Sequence, residues 1–276
     1  MKKERVDVLL VEKGLIETRE KAKRAIMAGI VFSGSERIDK PGTKIDPELP
    51  LEIRGQTLRY VGRGGLKLEK ALEVFDISPA GQIVLDIGAS TGGFTDCCLQ
   101  NGAELVYALD VGYNQLAWKL RQHEKVVVME RTNFRYVEKD HFQKGLPSFA
   151  TIDVSFISLK LILPPLAKIL EQGGNIVALI KPQFEAGRQE VGKKGIVKDP
   201  SIHEKVIRDI MAFAKSEGFA VLNLSFSPIT GGSGNIEYLL HLKLANPADF
   251  IDSFTVTEVV TAAHEAFSKS LPSSSP

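Results

Sequence analysis

Cysteine is scarce in this sequence of 276 residues: its two cysteines, Cys97 and Cys98, are adjacent to each other. Two neighbouring cysteines exclude a disulfide framework and have none of the usual spacings of a zinc site. Because no cluster of histidines offers an alternative, we expect no bound metal. We expect both cysteines to be buried in a helix.

Long apolar runs are also missing. No stretch approaches the roughly 20 apolar residues that a membrane-spanning helix needs. The apolar segment Val6–Val11 is interrupted by Asp7 and followed by Glu12 and Lys13, so it lacks the core of a signal peptide. We therefore expect a cytoplasmic protein with no membrane partner.

The sequence also lacks an excess of charge of one sign. It has 35 lysines and arginines and 34 acidic residues, which gives a net charge of +1. Such a chain has no general attraction for nucleic acid, so any binding of this kind would depend on local patches. Four cations crowd one short predicted helix: Arg19, Lys21, Lys23 and Arg24. This cluster is either an ordinary solvated helix face or a surface that contacts RNA.

Residues 1–60 differ in pattern from the rest of the chain. Apolar spacing predicts one helix over Arg5–Lys13 and a second helix that starts after Thr18, its N-cap, and stops at Gly29. Short strands are predicted near Ile30–Phe32 and Leu51–Ile53. The pattern indicates a separate small α+β domain.

A glycine-rich turn dominates the middle of the chain, between Ile83 and Thr95. An apolar strand that carries Asp86 runs into this turn, and a helix follows. The glycine spacing is not that of a pyrophosphate-binding turn, which favours a ligand without phosphates, such as S-adenosylmethionine (SAM), over NAD. The next strand ends in Asp110, where an acid can accept hydrogen bonds from both ribose hydroxyls.

Strands and helices alternate from Gln82 onward, which predicts a doubly wound sheet. A helix is predicted over Ser158–Glu171, with a kink or break at its two prolines. Residues 185–200 form a long polar loop that is typical of a lid or a binding loop. The tail after Asn246 is predicted to hold one helix and a disordered end.

Polar residues at the carboxyl ends of the strands are candidates for ligand contacts, because open α/β sheets bind ligands there. Asn133, Asp153 and Lys181 occupy such positions. Lys67 precedes the first strand, and Glu237 follows a glycine-rich turn late in the chain. Taken singly, each of these charges could belong to an ordinary surface ion pair.

Two resemblances follow from these residues. The pattern from Thr18 to Val31, followed by Lys40-Pro41, resembles the small RNA-binding domain first described in a ribosomal small-subunit protein. A second set of motifs resembles those of RrmJ/FtsJ-like ribose 2′-O-methyltransferases. The motifs are Arg-Gly-x-x-Lys at residues 63–67, Asp-Ile-Gly-Ala-x-x-Gly-Gly-Phe, Lys-Pro-Gln-Phe and Asn-x-Glu-Tyr. Together the two patterns are similar to the TlyA group, whose members are called haemolysins or ribosomal RNA 2′-O-methyltransferases.

The resemblance implies an α/β fold: a Rossmann-like SAM methyltransferase domain over residues 61–245, a small α+β RNA-binding domain over 1–60, and a partly disordered tail over 246–276. It implies methyl transfer to a ribose 2′-hydroxyl of ribosomal RNA, at a cytidine. The implied catalytic residues are Lys67, Asp153, Lys181 and Glu237, and the implied cofactor-binding residues are Asp86, Gly88, Ser90, Gly92, Gly93, Phe94, Asp110, Asn133 and Phe134. The implied RNA-binding residues are Arg19, Lys21, Lys23, Arg24, Arg63, Lys193 and Lys194. Asn133 departs from the acid that many SAM enzymes carry near the adenine.

The chemistry fits such a set, since a ribose hydroxyl is a poor nucleophile until it loses its proton. Lys181 could accept that proton or, if charged, stabilise the developing alkoxide. Asp153 and Glu237 would orient the two lysines and compensate their charges. Three other functions stay open: a cytolysin, a catalytically idle RNA-binding protein and an NAD-dependent enzyme. The sequence does not decide the oligomeric state, nor which ribosomal subunit is modified.

Overall fold

A computed structural model describes residues 3–27, 29–54, 59–192, 194–231, 234–245 and 254–268. Lys193, the start of the tail at 246–253 and the Ser-Pro end at 269–276 lie outside the described residues. The chain divides into two units, Met1–Arg63 and Gly64–Pro276. Each unit has its own hydrophobic core.

The first unit has two helices and two small antiparallel sheets. In chain order its elements are β1 (Glu4–Arg5), α1 (Val6–Glu12), α2 (Arg19–Met27), β2 (Val31–Ser33), β3 (Glu36–Arg37), β4 (Lys44–Ile45) and β5 (Glu52–Ile53). β1 pairs with β4, and β2 lies between β3 and β5. The predicted N-cap of α2 is present, since Thr18 Oγ1 accepts a 3.2 Å hydrogen bond from the Lys21 N–H. The predicted α+β pattern of this unit is confirmed.

The second unit alternates strands and helices, as predicted. In chain order its elements are α3 (Gly64–Phe75), β6 (Ile83–Ile87), α4 (Gly93–Gln100), β7 (Leu105–Leu109), α5 (Trp118–Arg121), β8 (Val126–Met129), β9 (Phe149–Ile152), α6 (Leu163–Ile169), β10 (Asn175–Ile180), α7 (Pro182–Glu185), α8 (Pro200–Ser216), β11 (Phe219–Phe226), β12 (Tyr238–Leu244) and α9 (Val256–Ser268). Both cysteines are buried in α4, as expected.

The strands of the second unit form one seven-stranded sheet in the order β11-β12-β10-β9-β6-β7-β8. Strands β6 to β10 run parallel, and β12 is antiparallel to both of its neighbours. Ile87 at the end of β6 pairs with Leu109 of β7 and Ile152 of β9. The turns that follow these three strands therefore meet at the carboxyl edge of the sheet. The predicted Rossmann-like, doubly wound architecture is confirmed.

Three local features add detail to the sequence-based expectation. The predicted long helix at Ser158–Glu171 is a turn of 3-10 helix followed by α6, because the two prolines occupy the first turn, where no N–H is needed. The segment before Gln82 forms the full helix α3, so Lys67 lies in its first turn. The tail contributes α9, which buries Val256, Val260 and Ala263 in the main core. The tail helix is therefore an integral part of the second unit.

Candidate active site

A cavity of about 350 Å³ opens at the carboxyl edge of the sheet. The turns after β6, β7, β8 and β9 line it. Five of the predicted cofactor-binding residues are on its wall: Gly88, Ser90, Asp110, Asn133 and Phe134. The site can therefore receive a ligand that spans all four turns.

Gly88 allows the glycine-rich turn after β6 to come very close to the end of β9. Its φ angle is +89°, and a Cβ atom at this position would overlap the backbone carbonyl of Asp153. Any other residue would be strained in this conformation and would also push the two strand ends apart. The glycine therefore allows the turn after β6 to pack directly against the backbone of Asp153.

Asp110 connects two of the cavity turns. One carboxylate oxygen accepts a 2.8 Å hydrogen bond from the Ser90 N–H, and the other accepts a 2.7 Å bond from the Gly112 N–H. A carboxylate has about four lone-pair sites, so both oxygens can still accept further donors. Asp110 thus has the position and the free acceptor capacity to bind two neighbouring hydroxyl groups.

Asp86 has a different environment from the one expected for a direct cofactor contact. It is fully buried, is not among the residues that line the cavity, and accepts hydrogen bonds from Thr95 Oγ1 at 2.6 Å and Thr151 Oγ1 at 2.9 Å. Burial raises the pKa of Asp86 to about 6, although the threonine hydroxyls oppose the shift. Asp86 therefore ties β6 to α4 and β9. The other predicted contacts absent from the cavity wall are Gly92, Gly93 and Phe94.

This raised pKa predicts a pH dependence of stability. Between about pH 4 and pH 6 folded Asp86 keeps its proton while the unfolded chain loses it, so its contribution to stability falls as the pH rises. Asparagine does not titrate, so Asp86→Asn should lack this pH dependence. As the pH rises from about 4 to about 6, the free energy of unfolding of Asp86→Asn should increase relative to that of the wild type by up to about 3 kcal/mol. Urea denaturation of both proteins at several pH values measures the difference. A pH-independent difference would contradict the assignment.

Four charged side chains, Lys67, Asp153, Lys181 and Glu237, meet beside the cavity and form what we call the charge chain. Lys181 Nζ lies 2.5 Å from Asp153 Oδ1, and Lys67 Nζ lies 3.6 Å from Asp153 Oδ2. Lys67 Nζ also donates to Glu237 Oε2 at 2.5 Å. The order is Lys181, Asp153, Lys67, Glu237, with alternating sign. The surface ion-pair alternative is wrong, because both lysines and Glu237 are buried.

The fold brings the charge chain together from four elements. Asp153 follows β9, Lys181 follows β10, Glu237 precedes the antiparallel strand β12, and Lys67 lies in the first turn of α3. Burial alone would lower the pKa of Lys67, but the charges of Asp153 and Glu237 outweigh burial and raise it. Lys67 is therefore a fixed cation between two anions.

The structure adds two residues that sequence reasoning missed, both next to Asp153. Ser155 Oγ accepts a 3.1 Å hydrogen bond from Lys181 Nζ. Phe156 is 91% exposed, has a left-handed φ of 63°, and its ring centroid lies 4.9 Å from that of Phe184. Both residues also line the cavity. Their position directly after a strand end was the signal that could have identified them.

Asn235 anchors one end of the predicted polar loop. Its side chain accepts a 3.0 Å hydrogen bond from the Val197 N–H and donates a 2.9 Å bond to the Gly195 carbonyl. His203 Nε2 lies 3.0 Å from the Val197 carbonyl oxygen. The end of the loop before α8 is therefore fixed to the turn that presents Glu237.

The predicted RNA-contacting cations have unequal environments. Arg19 pairs with Asp7, and Lys21 pairs with Glu17 one helical turn away. Lys23, Arg63 and Lys194 are exposed and Arg24 is half-buried, and no carboxylate pairs with any of these four in the described part of the chain. Two of the four predicted cations on α2 therefore have acidic partners and two do not, and the contact of this cluster with RNA stays a prediction.

Neither a metal centre nor a membrane span emerges from the described residues. Within them no group of three His, Cys, Asp or Glu side chains is arranged to hold a metal ion. No helix among them has both the length and the apolar character needed to cross a bilayer.

The sheet order, the cavity at its carboxyl edge and the charge chain define a Rossmann-like α/β enzyme. Residues 60–244 match the FtsJ-like methyltransferase family, and the chain belongs to this family. Residues 4–49 match the S4 domain. The residues of the cavity wall and of the charge chain all lie within the first of these two matches.

Similar proteins carry two kinds of name. The chain is 63% identical to a Bacillus subtilis protein named for rRNA methyltransferase activity, YqxC, over 96% of this chain and 94% of that one. It is 42% identical to the 16S/23S rRNA (cytidine-2′-O)-methyltransferase TlyA of Mycobacterium tuberculosis, over 87% and 89% of the two chains. A solved structure of a hemolysin-named protein from Streptococcus thermophilus is 59% identical, covers 98% of both chains and superimposes with a TM-score of 0.77.

Proposed function

We propose that this protein is a SAM-dependent methyltransferase that modifies a cytidine ribose 2′-hydroxyl in ribosomal RNA. The observation that carries the proposal is the charge chain, which ends at Lys181 beside a cavity whose lining would suit a nucleoside-type ligand. Relatives that cover most of the chain are named for this reaction. The proposed substrate places the enzyme in the cytoplasm.

The cavity residues fit SAM. Asp110 would accept the two ribose hydroxyls, and the turn at Gly88 and Ser90 leaves room for the rest of the cofactor. Phe134 and Asn133 close the side of the cavity formed by the turn after β8, where the adenine would lie. When bound, SAM supplies the methyl group for transfer. Asp86 would act indirectly, by holding the cofactor turn in place.

Lys181 is the residue we propose to act on the ribose hydroxyl. Asp153 and Ser155 hold its amine by two contacts, and an ammonium group has three donors, so one position remains for the substrate oxygen. A neutral Lys181 would accept the hydroxyl proton, whereas a charged Lys181 would stabilise the alkoxide. Both roles need the amine fixed at this place. Lys67 and Glu237 would fix the far side of Asp153.

RNA binding is assigned to cations of the first unit and to Lys194 of the second. Lys23 and Arg24 on α2, together with Arg63 and Lys194, are cations without a carboxylate partner among the described residues. The exposed Phe156 offers a ring on which a nucleobase can stack next to Lys181. We propose that residues 1–60 bind RNA and that residues 61–245, completed by α9, transfer the methyl group.

The decisive experiment incubates the full chain with methyl-tritiated SAM and separated small and large ribosomal subunits. Label that maps to the 2′-oxygen of a cytidine supports the proposal. Label on a base, or no label in the presence of bound SAM, would overturn it. Lysis of erythrocytes by the same preparation without any RNA labelling would instead favour the cytolysin alternative.

Replacement of Asp110 tests the cofactor site. Asp110→Ala should weaken SAM binding by roughly 1–3 kcal/mol, because charge-assisted hydrogen bonds to the ribose are lost. Isothermal titration with SAM and with its demethylated product measures the change. Asp140→Ala, at an exposed position in a 3-10 turn away from the cavity wall, is the matched control and should bind normally. Binding of NAD in place of SAM would refute the assignment.

A further inference from the structure

Asp7 is a fully buried acid in the first turn of α1, within the unit that matches the S4 domain. A buried carboxylate is costly unless cations and hydrogen bonds compensate its charge. Two arginines do so. Arg5 precedes α1, and Arg19 begins α2, so the acid connects two separate helices.

The three side chains form a compact fork. Arg5 donates to Asp7 twice, from Nε to Oδ1 at 2.8 Å and from Nη2 to Oδ2 at 3.2 Å. Arg19 Nη2 donates to the same Oδ2 at 3.0 Å. The carboxylate is inaccessible, whereas the side chains of Arg5 and Arg19 are 43% and 55% exposed. Each guanidinium therefore keeps donors that are not used by Asp7.

A second pair in the same unit shows that this arrangement is not a general property of its surface. Arg37 and Asp39 have the same two-residue spacing as Arg5 and Asp7, and Arg37 Nε lies 2.7 Å from Asp39 Oδ1. Both of these side chains are more than half exposed, and among the described residues the acid pairs with a single arginine. Only Asp7, of the two acids, brings together cations from different elements.

The fork has a net charge of one positive unit and ordered donors. Hydrogen bonds from Arg5 lower the pKa of Asp7 to about 2 despite burial, so the carboxylate stays ionised at neutral pH. Without it, two like charges would repel each other and two long side chains would move freely. Fixing them before the ligand arrives lowers the entropy cost of binding. A guanidinium with a free donor edge suits a phosphate group.

We propose that Asp7 is a positioning residue for RNA binding. It holds Arg5 and Arg19 together as a preorganised pair that binds the phosphate backbone. This inference rests on the proposed function, since it needs an RNA substrate. It assigns a role to an acid, and to Arg5, neither of which the sequence patterns singled out.

The effect of Asp7→Asn on RNA affinity tests the proposal, because a charge effect and a loss of positioning would change this affinity in opposite directions. Asp7→Asn adds one unit of positive charge to the chain, so simple electrostatics predicts tighter RNA binding. Loss of positioning predicts weaker binding, and we expect the dissociation constant for a 23S rRNA transcript to rise about tenfold at about 0.15 M salt. Asp39→Asn makes the same charge change at the exposed pair and should leave binding unchanged or slightly tighter.

A double-variant comparison separates positioning from a structural effect. In a chain that already carries Arg5→Gln and Arg19→Gln, Asp7→Asn should cause no further loss of RNA affinity. In methylation assays Asp7→Asn should raise KM for rRNA while kcat and SAM affinity stay the same. Arg5→Lys with Arg19→Lys keeps every charge but removes the fork, so it should also weaken binding, and it provides the test if Asp7→Asn fails to fold.

The outcomes are distinguishable. Wild-type or tighter RNA binding by Asp7→Asn would overturn the proposed role of Asp7, and so would full affinity of the double lysine variant. Neither result would affect the proposed function. A further loss caused by Asp7→Asn in the double glutamine chain would show a structural effect and would also overturn it. If the wild-type chain neither binds nor methylates rRNA, the proposed function itself fails.

Discussion

Lys181→Ala should abolish methyl transfer, with a loss of kcat on the order of a thousandfold or more, while SAM affinity stays within a few fold of wild type. The effect on the rate is large because, in the proposed mechanism, the reacting oxygen would lose its contact with the Lys181 amine. SAM affinity should survive because Lys181 is not on the cavity wall. Single-turnover assays with tritiated SAM, together with isothermal titration, measure the two quantities separately.

Lys168→Ala is the matched control for this prediction. Lys168 is an exposed lysine in the last turn of α6, just before β10 begins, and therefore lies at the opposite edge of the sheet. It should keep wild-type turnover. Near-normal turnover by a folded Lys181→Ala protein would refute the mechanism. A rate that rises with pH in the wild type would favour Lys181 as a base, and a rate that falls would favour a charged Lys181.

Glu237→Gln should lower the free energy of unfolding by about 3 kcal/mol and also reduce activity strongly. Lys67 is buried, and with Glu237 neutral its remaining anion is Asp153 at 3.6 Å. Burial would then lower the pKa of Lys67, whose present value is raised by the two acids. Urea denaturation and methylation assays at pH 7 measure both effects. Glu104→Gln, at an exposed position before β7, is the control and should change neither.

A double variant tests whether stability and activity depend on the same charges. Lys67→Met with Glu237→Gln removes both members of the buried pair, so most of the lost stability should return. Activity should not return, because Asp153 would still lack the cation that fixes its far oxygen. Recovery of turnover together with stability would show that the pair serves folding alone.

Much of the fold follows from local sequence signals. The apolar strands, the Thr18 cap and the glycine turns each act through neighbouring residues, and the structure contains them as predicted. The tail helix α9 was predicted as an element, but its packing against α8 and β11 was not. Apolar side chains at helical spacing show that a face will be buried, and they do not show against which partner.

The candidate site could be predicted by residue type but not by contact. The four residues of the charge chain come from distant parts of the sequence. The register of β9, β10 and β12 together with the position of α3 brings them together. The role of Asp86 could not be predicted, because its two threonine partners come from other elements. The pairing of Arg19 with Asp7 was missed for the same reason: a charge pattern on one helix does not reveal the acid beneath it.

The alternating order of the charge chain has a consequence for ionic strength. Two cations and two anions in sequence cancel one another over a short distance, and dissolved ions have little access to buried groups. Capture of RNA by exposed cations, in contrast, weakens steeply as salt displaces them from phosphates. Added salt should therefore reduce activity reversibly, because RNA binds more weakly while the charge chain stays intact. Excess RNA should restore full turnover in the same buffer.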